Sequence, residues 1–440
     1  MQINVNKKEM KNFYNNSTNF YVNLLSFLVA FVPVLLITGP FLSDLVVSSC
    51  SIIFIIVSIK NKLSFYYTNK IFIISLFFCI YLIFLSFSSL DPRLSLESSM
   101  FYIRFIIFSL CVWYVCQNNN IYFLKTLFLI IVIAYLFLII DSYLQFFTHY
   151  NLFGMYKMAE HRHSGIFGTE YILGSYLVRF IPLLIGLFLF FEIFNKYRIF
   201  SYVFFSLIFG LIFISGERSA LCLLIIVLIY FVLTVKERRK DFLKIIGIST
   251  IPIIISSFFN YQVYERMIIK TANLFLNQDL FSTTSAFSLK AGIIFPYMYT
   301  QIYTTGISIF KDNIFFGIGP KMFRVYCNFP EYFIKDGCTT HPHNTYLQLL
   351  VETGLFGFLI ISFLFLFIVY KMIIINKKNK GLYPKIKHLR SFLYLSLFIS
   401  LCPILPTGNF FNNWLSIVYF FPIGMIISTY NSNFYNNIKT

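Results

Sequence analysis

Charge is scarce in this sequence. Asp, Glu, Lys and Arg together make up 12% of its 440 residues, and only 17 of those residues are acidic. An ordinary soluble domain carries about 25% charged residues, so a soluble globular chain is excluded. Asp-x-Asp, Walker and Rossmann patterns are all missing, and a nucleotide-linked donor is therefore not expected. No internal repeat and no low-complexity linker divides the chain, which reads as a single membrane domain over residues 1–440. A cleavable signal peptide is not expected either, because the first apolar span is too long and lacks a small-residue cleavage site.

What is abundant is apolar surface. Hydrophobic residues reach 58%, with 58 Phe and 31 Tyr, and the mean hydropathy is +0.76. These values predict an all-α polytopic membrane protein in contact with membrane lipid, its aromatic residues suited to lipid-facing surfaces and interfacial belts. The net charge of +18 would point to nucleic acid in a soluble chain. Here no nucleic-acid partner is expected, because cytoplasmic loops of membrane proteins collect Lys and Arg.

Apolar runs predict about twelve transmembrane helices, near residues 22–41, 42–59, 71–90, 100–116, 121–147, 173–194, 199–215, 219–235, 244–259, 345–370, 391–407 and 414–430. Orientation follows from the basic residues. Lys7, Lys8 and Lys11, then Lys60, Lys62 and Lys70, then Lys196 and Arg198 share one side with the cluster Lys236, Arg238, Arg239, Lys240 and Lys244. The last such loop carries Lys371, Lys377, Lys378, Lys380, Lys385, Lys387 and Arg390. Both termini are thus expected in the cytoplasm. The segments Asp91–Ser99, Thr148–Ile172, the turn Gly216-Glu217-Arg218, and one long loop over residues 260–344 between helices 9 and 10 fall outside. So long a connection predicts a partly helical cap, with apolar side chains in Tyr297–Phe310 and Tyr326–Ile334 packing on the bundle.

The residues with chemistry gather at the outer face. His341-Pro342-His343-Asn344 ends the long loop just before the tenth span. Asn344 can cap that helix and Pro342 restricts the spacing of the histidines. A histidine titrates near neutrality and can take a proton from an attacking hydroxyl. Arg218 holds a permanent charge at the outer end of the eighth span, with a fork suited to phosphate oxygens; its plain alternative is an ion pair with Glu217 or Glu352. Glu352, about two turns into the tenth span, is expected to pair with an arginine on a neighbouring span. Gly354 and Gly357 are expected to let another helix approach. Cys327 and Cys338 share the outside loop and are expected to form a disulfide, which fits two cysteines there better than a zinc site does. The other six cysteines read as buried apolar residues.

His343-Asn344 followed by Tyr346-Leu347-Gln348-Leu349-Leu350, with Glu352-x-Gly354-Leu355-x-Gly357 behind it, resembles the O-antigen ligase and polymerase superfamily of bacterial surface-polysaccharide enzymes. Ser215-Gly216-Glu217-Arg218-Ser219 and Arg162-His163-Ser164-Gly165-Ile166-Phe167 resemble two further elements, the second departing at Thr169-Glu170. Lys311 to Gly319 resembles the turn before the family's histidine. An arginine expected upstream of that turn is replaced near Tyr299 and Gln301, leaving Arg266 and Arg324 as the first candidates to supply it.

The resemblance implies a glycosyltransferase in the bacterial inner membrane, working without metal or other cofactor. Its donor would be a glycan on undecaprenyl pyrophosphate and its acceptor either lipid A-core or a second lipid-linked glycan. It implies His343 as catalytic with His341 as its companion. It also implies Arg218, Arg162, Arg266 and Arg324 as diphosphate-binding residues, supported by Glu352 and Asn344. Ligase to lipid A-core is the leading expectation. O-antigen polymerase, protein O-glycosylation and a non-enzymatic polysaccharide-lipid transporter are the alternatives.

Overall fold

A computed structural model describes residues 16–276, 297–377, 384–431 and 434. Among these residues the architecture is all helical with no β-strand; two isolated bridges, Tyr150 to Tyr156 and Ala159 to Arg162, tie up one outer loop. In chain order the main helices are α1 (Asn16–Leu35), α2 (Pro40–Lys60), α3 (Lys70–Phe87), α4 (Pro92–Ser99), α5 (Ile103–Asn118), α6 (Asn120–Thr148) and α7 (Leu173–Phe190). They continue with α8 (Arg198–Ile214), α9 (Arg218–Thr234), α10 (Arg239–Phe259), α11 (Tyr297–Asp312), α12 (Thr345–Lys377), α13 (Pro384–Ser400) and α14 (Asn413–Ser428).

Among the described residues seven helical stretches are long and apolar enough to cross a membrane: Pro40–Lys60, Lys70–Phe87, Pro92–Asn118, Ile121–Thr148, Leu173–Phe190, Lys236–Phe259 and Thr345–Asn376. The other five of the twelve expected spans fall on the shorter helices α1, α8, α9, α13 and α14. The protein is a multi-pass membrane protein. The expected span 391–407 is displaced: α13 ends at Ser400, and the residues after it, with Pro403 and Pro406 among them, form a loop.

The bundle is held by close helix pairs, α14 on α5, α7 on α13 and α8 on α10. Small residues make this possible. A Cβ at Gly424 would lie 2.3 Å from the Ser109 carbonyl oxygen, and one at Gly186 would lie 3.2 Å from the Phe392 Cβ. Buried rings fill the rest, as where Phe231 and Phe242 stack with centroids 3.7 Å apart.

The described parts of the long loop between α10 and α12 pack into a compact unit. Ile302, Tyr303 and Ile309 of α11 build a second apolar cluster with Ile318, Met322, Phe323, Cys327 and Val351 of α12. Leu94 of α4 joins this cluster, and Lys321 reaches Glu97 of α4 at 3.1 Å. Residues 277–296, with the cation Lys290 among them, lie outside the described residues.

The tenth span is not one continuous helix. Gly354 (φ 64°, ψ −172°) interrupts α12, and residues 314–319 dock at the break. Ile318 and Gly319 donate their amides to the Val351 and Glu352 carbonyls at 3.0 and 2.9 Å. The amides of Leu355 and Phe356 in turn donate to Ile314 and Phe315 at 2.8 and 3.4 Å. The Tyr81 hydroxyl donates to the Thr353 carbonyl at 2.8 Å. Backbone groups freed by the break are thus paired again, as a helix break at membrane depth requires. This corrects the expected role of Gly354: what approaches it is a loop backbone, not a helix. Gly357 does face a helix, with Tyr81 of α3 against it.

Candidate functional site

The half-helix from Thr345 to Thr353 carries the two histidines at its outer end. Asn344 caps it, its Oδ1 accepting from the amides of Tyr346 and Leu347 at 3.0 and 3.1 Å. His343 itself is left-handed (φ 53°), a conformation costly for any residue with a Cβ. That turn folds the two imidazoles together, with ring centroids 4.1 Å apart. His341 is buried; its Nδ1 lies 3.0 Å from Thr340 Oγ1 while its Nε2 has no hydrogen-bond partner. The Tyr299 ring meets His343 edge-on at 5.8 Å. Burial, with the neighbouring His343 and Arg324, pushes His341 down to about 3, and burial lowers His343 as well. Both rings are therefore neutral at pH 7, as a proton acceptor must be.

A second pole is built from arginines. Arg218 opens α9, Arg162 comes from the loop after α6, and Arg266 from the helical segment 261–276 that follows α10. The backbone at Gly216 presses on this group: a Cβ there would lie 2.3 Å from the His161 carbonyl oxygen and 3.0 Å from Arg162 Cγ. Arg266 Nε donates to the Gly216 carbonyl at 2.8 Å. Burial and the positive charges of Arg162 and Arg218 pull Arg266 down to about 10, which places three cations in one electrostatic neighbourhood. Arg162 stacks 4.3 Å over Tyr171 and donates to its carbonyl, leaving a buried Nε without a partner. Tyr299 touches His343 and lies near Arg266. Such clustered guanidinium groups suit a polyanionic ligand.

Both glutamates considered as partners of Arg218 are engaged elsewhere. Glu217 caps α7, accepting from the Gly174 amide (2.6 Å), the Ser175 amide (3.1 Å) and the Ser175 hydroxyl (2.6 Å). Glu352, fully buried, accepts from Gln348 Nε2 at 2.8 Å and from the Phe323 amide at 3.4 Å. The expected pairing of Glu352 with an arginine is thereby corrected: an amide one turn back on the same helix satisfies it.

The structure separates the two arginines that were expected to stand in for each other. Arg266 joins Arg162 and Arg218, whereas Arg324 lies near His341 and Glu352 with an unpartnered buried Nε. Cys327 and Cys338 form a disulfide, Cα atoms 5.1 Å apart, in the cap just before the histidines. Among the described residues no three His, Cys, Asp or Glu side chains gather as a metal ion would require. His163 is a packing residue: it is buried, its ring meets Phe146 at 5.1 Å, and burial takes it down to about 4.

Sequence reasoning missed three parts of this site. Tyr299 was passed over as a replacement for an arginine. Arg179 of α7 is buried, stacked 5.9 Å from the Trp414 ring, and donates to the Ser175 carbonyl at 3.2 Å; a lone cation inside an apolar run was the available signal. The loop 401–412, whose residues 401–407 were placed in an apolar span, lies against the histidine turn. Thr407 donates its amide to the His343 carbonyl at 2.9 Å and shares a 2.9 Å hydroxyl contact with Thr345.

Residues 202–362 match a family model described as O-antigen ligase, a stretch that contains Arg218, Arg266, Arg324, both histidines and Glu352. Arg162 and the loop 401–412 lie outside the matched stretch. No curated protein matches the chain.

Proposed function

We propose, from the match of residues 202–362 to a family described as O-antigen ligase, that the chain is a glycosyltransferase acting on a lipid-linked donor at the outer face of the bacterial inner membrane. In this reading the chain is one membrane domain that crosses the bilayer twelve times with both termini cytoplasmic. Residues 260–344 then lie on the extracytoplasmic side with the turns at 162 and 218. The positive-inside pattern of the loops supports this orientation.

The reaction is a displacement at an anomeric carbon. A hydroxyl oxygen of the acceptor forms the new glycosidic bond as the bond from that carbon to the diphosphate oxygen breaks. His343 accepts the hydroxyl proton, and undecaprenyl diphosphate leaves with the electron pair. Arg218, Arg162 and Arg266 hold the diphosphate and stabilise the charge that grows on it. Arg324, with its unpartnered Nε near His341, fits the sugar or the acceptor. A helical bundle suits such a donor because its polyprenyl tail stays in lipid while its sugars reach the cap. The observation that supports this reading is the buried histidine pair, with Tyr299 beside His343, together with the arginines grouped around Gly216.

Transfer to lipid A-core, the ligase reaction, is the specific activity proposed. The test is deletion of the gene in its host, complementation with wild type or His343→Ala, and separation of surface glycolipids on a gel. Loss of long glycan from lipid A-core, with polymer still on the carrier, is the expected result for both the deletion and His343→Ala. A single repeat left on the core would assign the polymerase reaction instead. An unchanged pattern would refute both.

A further inference from the structure

The loop between α13 and α14 touches the histidine turn at more points than any other described segment outside the cap, and nothing so far gives it a role. Six contacts are formed. Thr407 donates its amide to the His343 carbonyl at 2.9 Å, and its hydroxyl meets that of Thr345 at 2.9 Å. Asn344 Nδ2 donates to the Pro403 carbonyl at 2.8 Å, and the Tyr346 hydroxyl donates to the Leu401 carbonyl at 3.0 Å. Gln348 Nε2 donates to Asn409 Oδ1 at 2.8 Å, and Gln348 Oε1 accepts from the Phe410 amide at 2.9 Å.

Gln348 is the junction. It is fully buried, and its Nε2 also donates to Glu352, whose other oxygen accepts from the cap at Phe323. One amide side chain therefore ties the loop, the half-helix and the cap together. Buried networks of this kind hold a single arrangement only when every member is satisfied. The left-handed backbone of His343 needs such support, because that conformation is costly for a residue with a Cβ.

We propose that residues 401–412 form a collar that sets the position of the His343 imidazole, with Gln348 and Asn409 as positioning residues for the proton-accepting step. The inference rests on the glycosyl-transfer reading for its activity readout, and a second readout is independent of it.

The experiment compares full-length wild type with Asn409→Leu, Gln348→Leu, Thr407→Val and Asn409→Asp, all in membranes. Asn409→Asp keeps the Oδ1 that accepts from Gln348. The direct readout is the rate at which diethyl pyrocarbonate modifies His343, followed by peptide mass spectrometry. A severalfold change in that rate is expected in the two leucine variants, and a wild-type rate in Asn409→Asp. Glycan transfer should fall at least tenfold in kcat in the leucine variants, with KM for the lipid-linked donor within about twofold, and recover in Asn409→Asp. Wild-type His343 reactivity with full transfer in both leucine variants would overturn the proposal. Should those variants fail to insert, Thr407→Val decides in their place: it must change His343 reactivity, and an unchanged rate overturns the collar. Altered reactivity in a protein whose wild type transfers no glycan would uphold the collar and sink the glycosyltransferase reading alone.

Discussion

Replacing Gly354 by alanine tests the broken helix directly. At φ 64°, ψ −172° the residue occupies a region almost closed to side chains, which costs about 2 kcal/mol for alanine. The added Cβ would sit 2.2 Å from the Phe315 carbonyl oxygen and 2.5 Å from the Phe316 nitrogen, so the docked segment must move. That segment carries three good backbone hydrogen bonds to α12, at 3.0, 2.9 and 2.8 Å, each contributing about 1 kcal/mol. The loss is therefore about 5 kcal/mol. Gly247 is the control: it lies inside α10 with nothing within 4 Å of a built Cβ, so alanine there should stabilise by about 1 kcal/mol. Unfolding entropy scales with chain length, so at this size about 1 kcal/mol shifts the midpoint by roughly 1 °C. Heating detergent-solubilised protein and scoring the surviving monodisperse fraction should put Gly354→Ala about 5 °C below wild type. Gly247→Ala should lie at or slightly above wild type. If both variants melt together, the docking of residues 314–319 is not what closes the break.

Two further outcomes follow from the outer face. Cys327 and Cys338 should resist maleimide in intact cells until a reductant is added, and replacing either by serine should lower stability by about 3 kcal/mol, as expected for so short a loop; labelling of Cys327 without reductant would contradict the pairing. His341 is held at about 3 when folded and near 6.5 when unfolded, so the unfolded chain binds more protons at intermediate pH. Its contribution to stability is complete above pH 6.5 and declines by about 1.4 kcal/mol per unit as pH falls toward 3. Melting wild type and His341→Gln at pH 7 and pH 5 should show the shallower decline in the variant, and equal slopes would mean the buried neutral ring is not the cause.

The helical bundle was legible because long apolar runs are local properties of the chain. The histidine turn was legible for a similar reason: His341, Pro342, His343 and Asn344 are consecutive, and an asparagine before an apolar run is a local helix start. The break at Gly354 was not, because it is completed by residues 314–319 and no proline marks it. The partner of Glu352 was misjudged because a buried acid invites a search for a cation, when an amide at Gln348 was already one turn away. The loop 401–412 was hidden by Leu401, Ile404 and Leu405, whose hydropathy outweighed the turn chemistry of Pro403, Pro406, Gly408 and Asn409.

The division of the site into a neutral pole and a cationic pole has one electrostatic cause. Burial disfavours protonation of both rings, and the positive charge of Arg324 adds to it at His341, so both imidazoles bind a proton weakly. Burial, and then the charges of Arg162 and Arg218, lower the proton affinity of Arg266, so these cations lie near enough to repel one another. A diphosphate would relieve that repulsion, and its negative charge would at the same moment raise the proton affinity of the nearby histidines. In the proposed reaction, binding of the leaving group and readiness of the base would then rise together. Tyr299, in contact with one pole and within reach of the other, stands where the two effects meet.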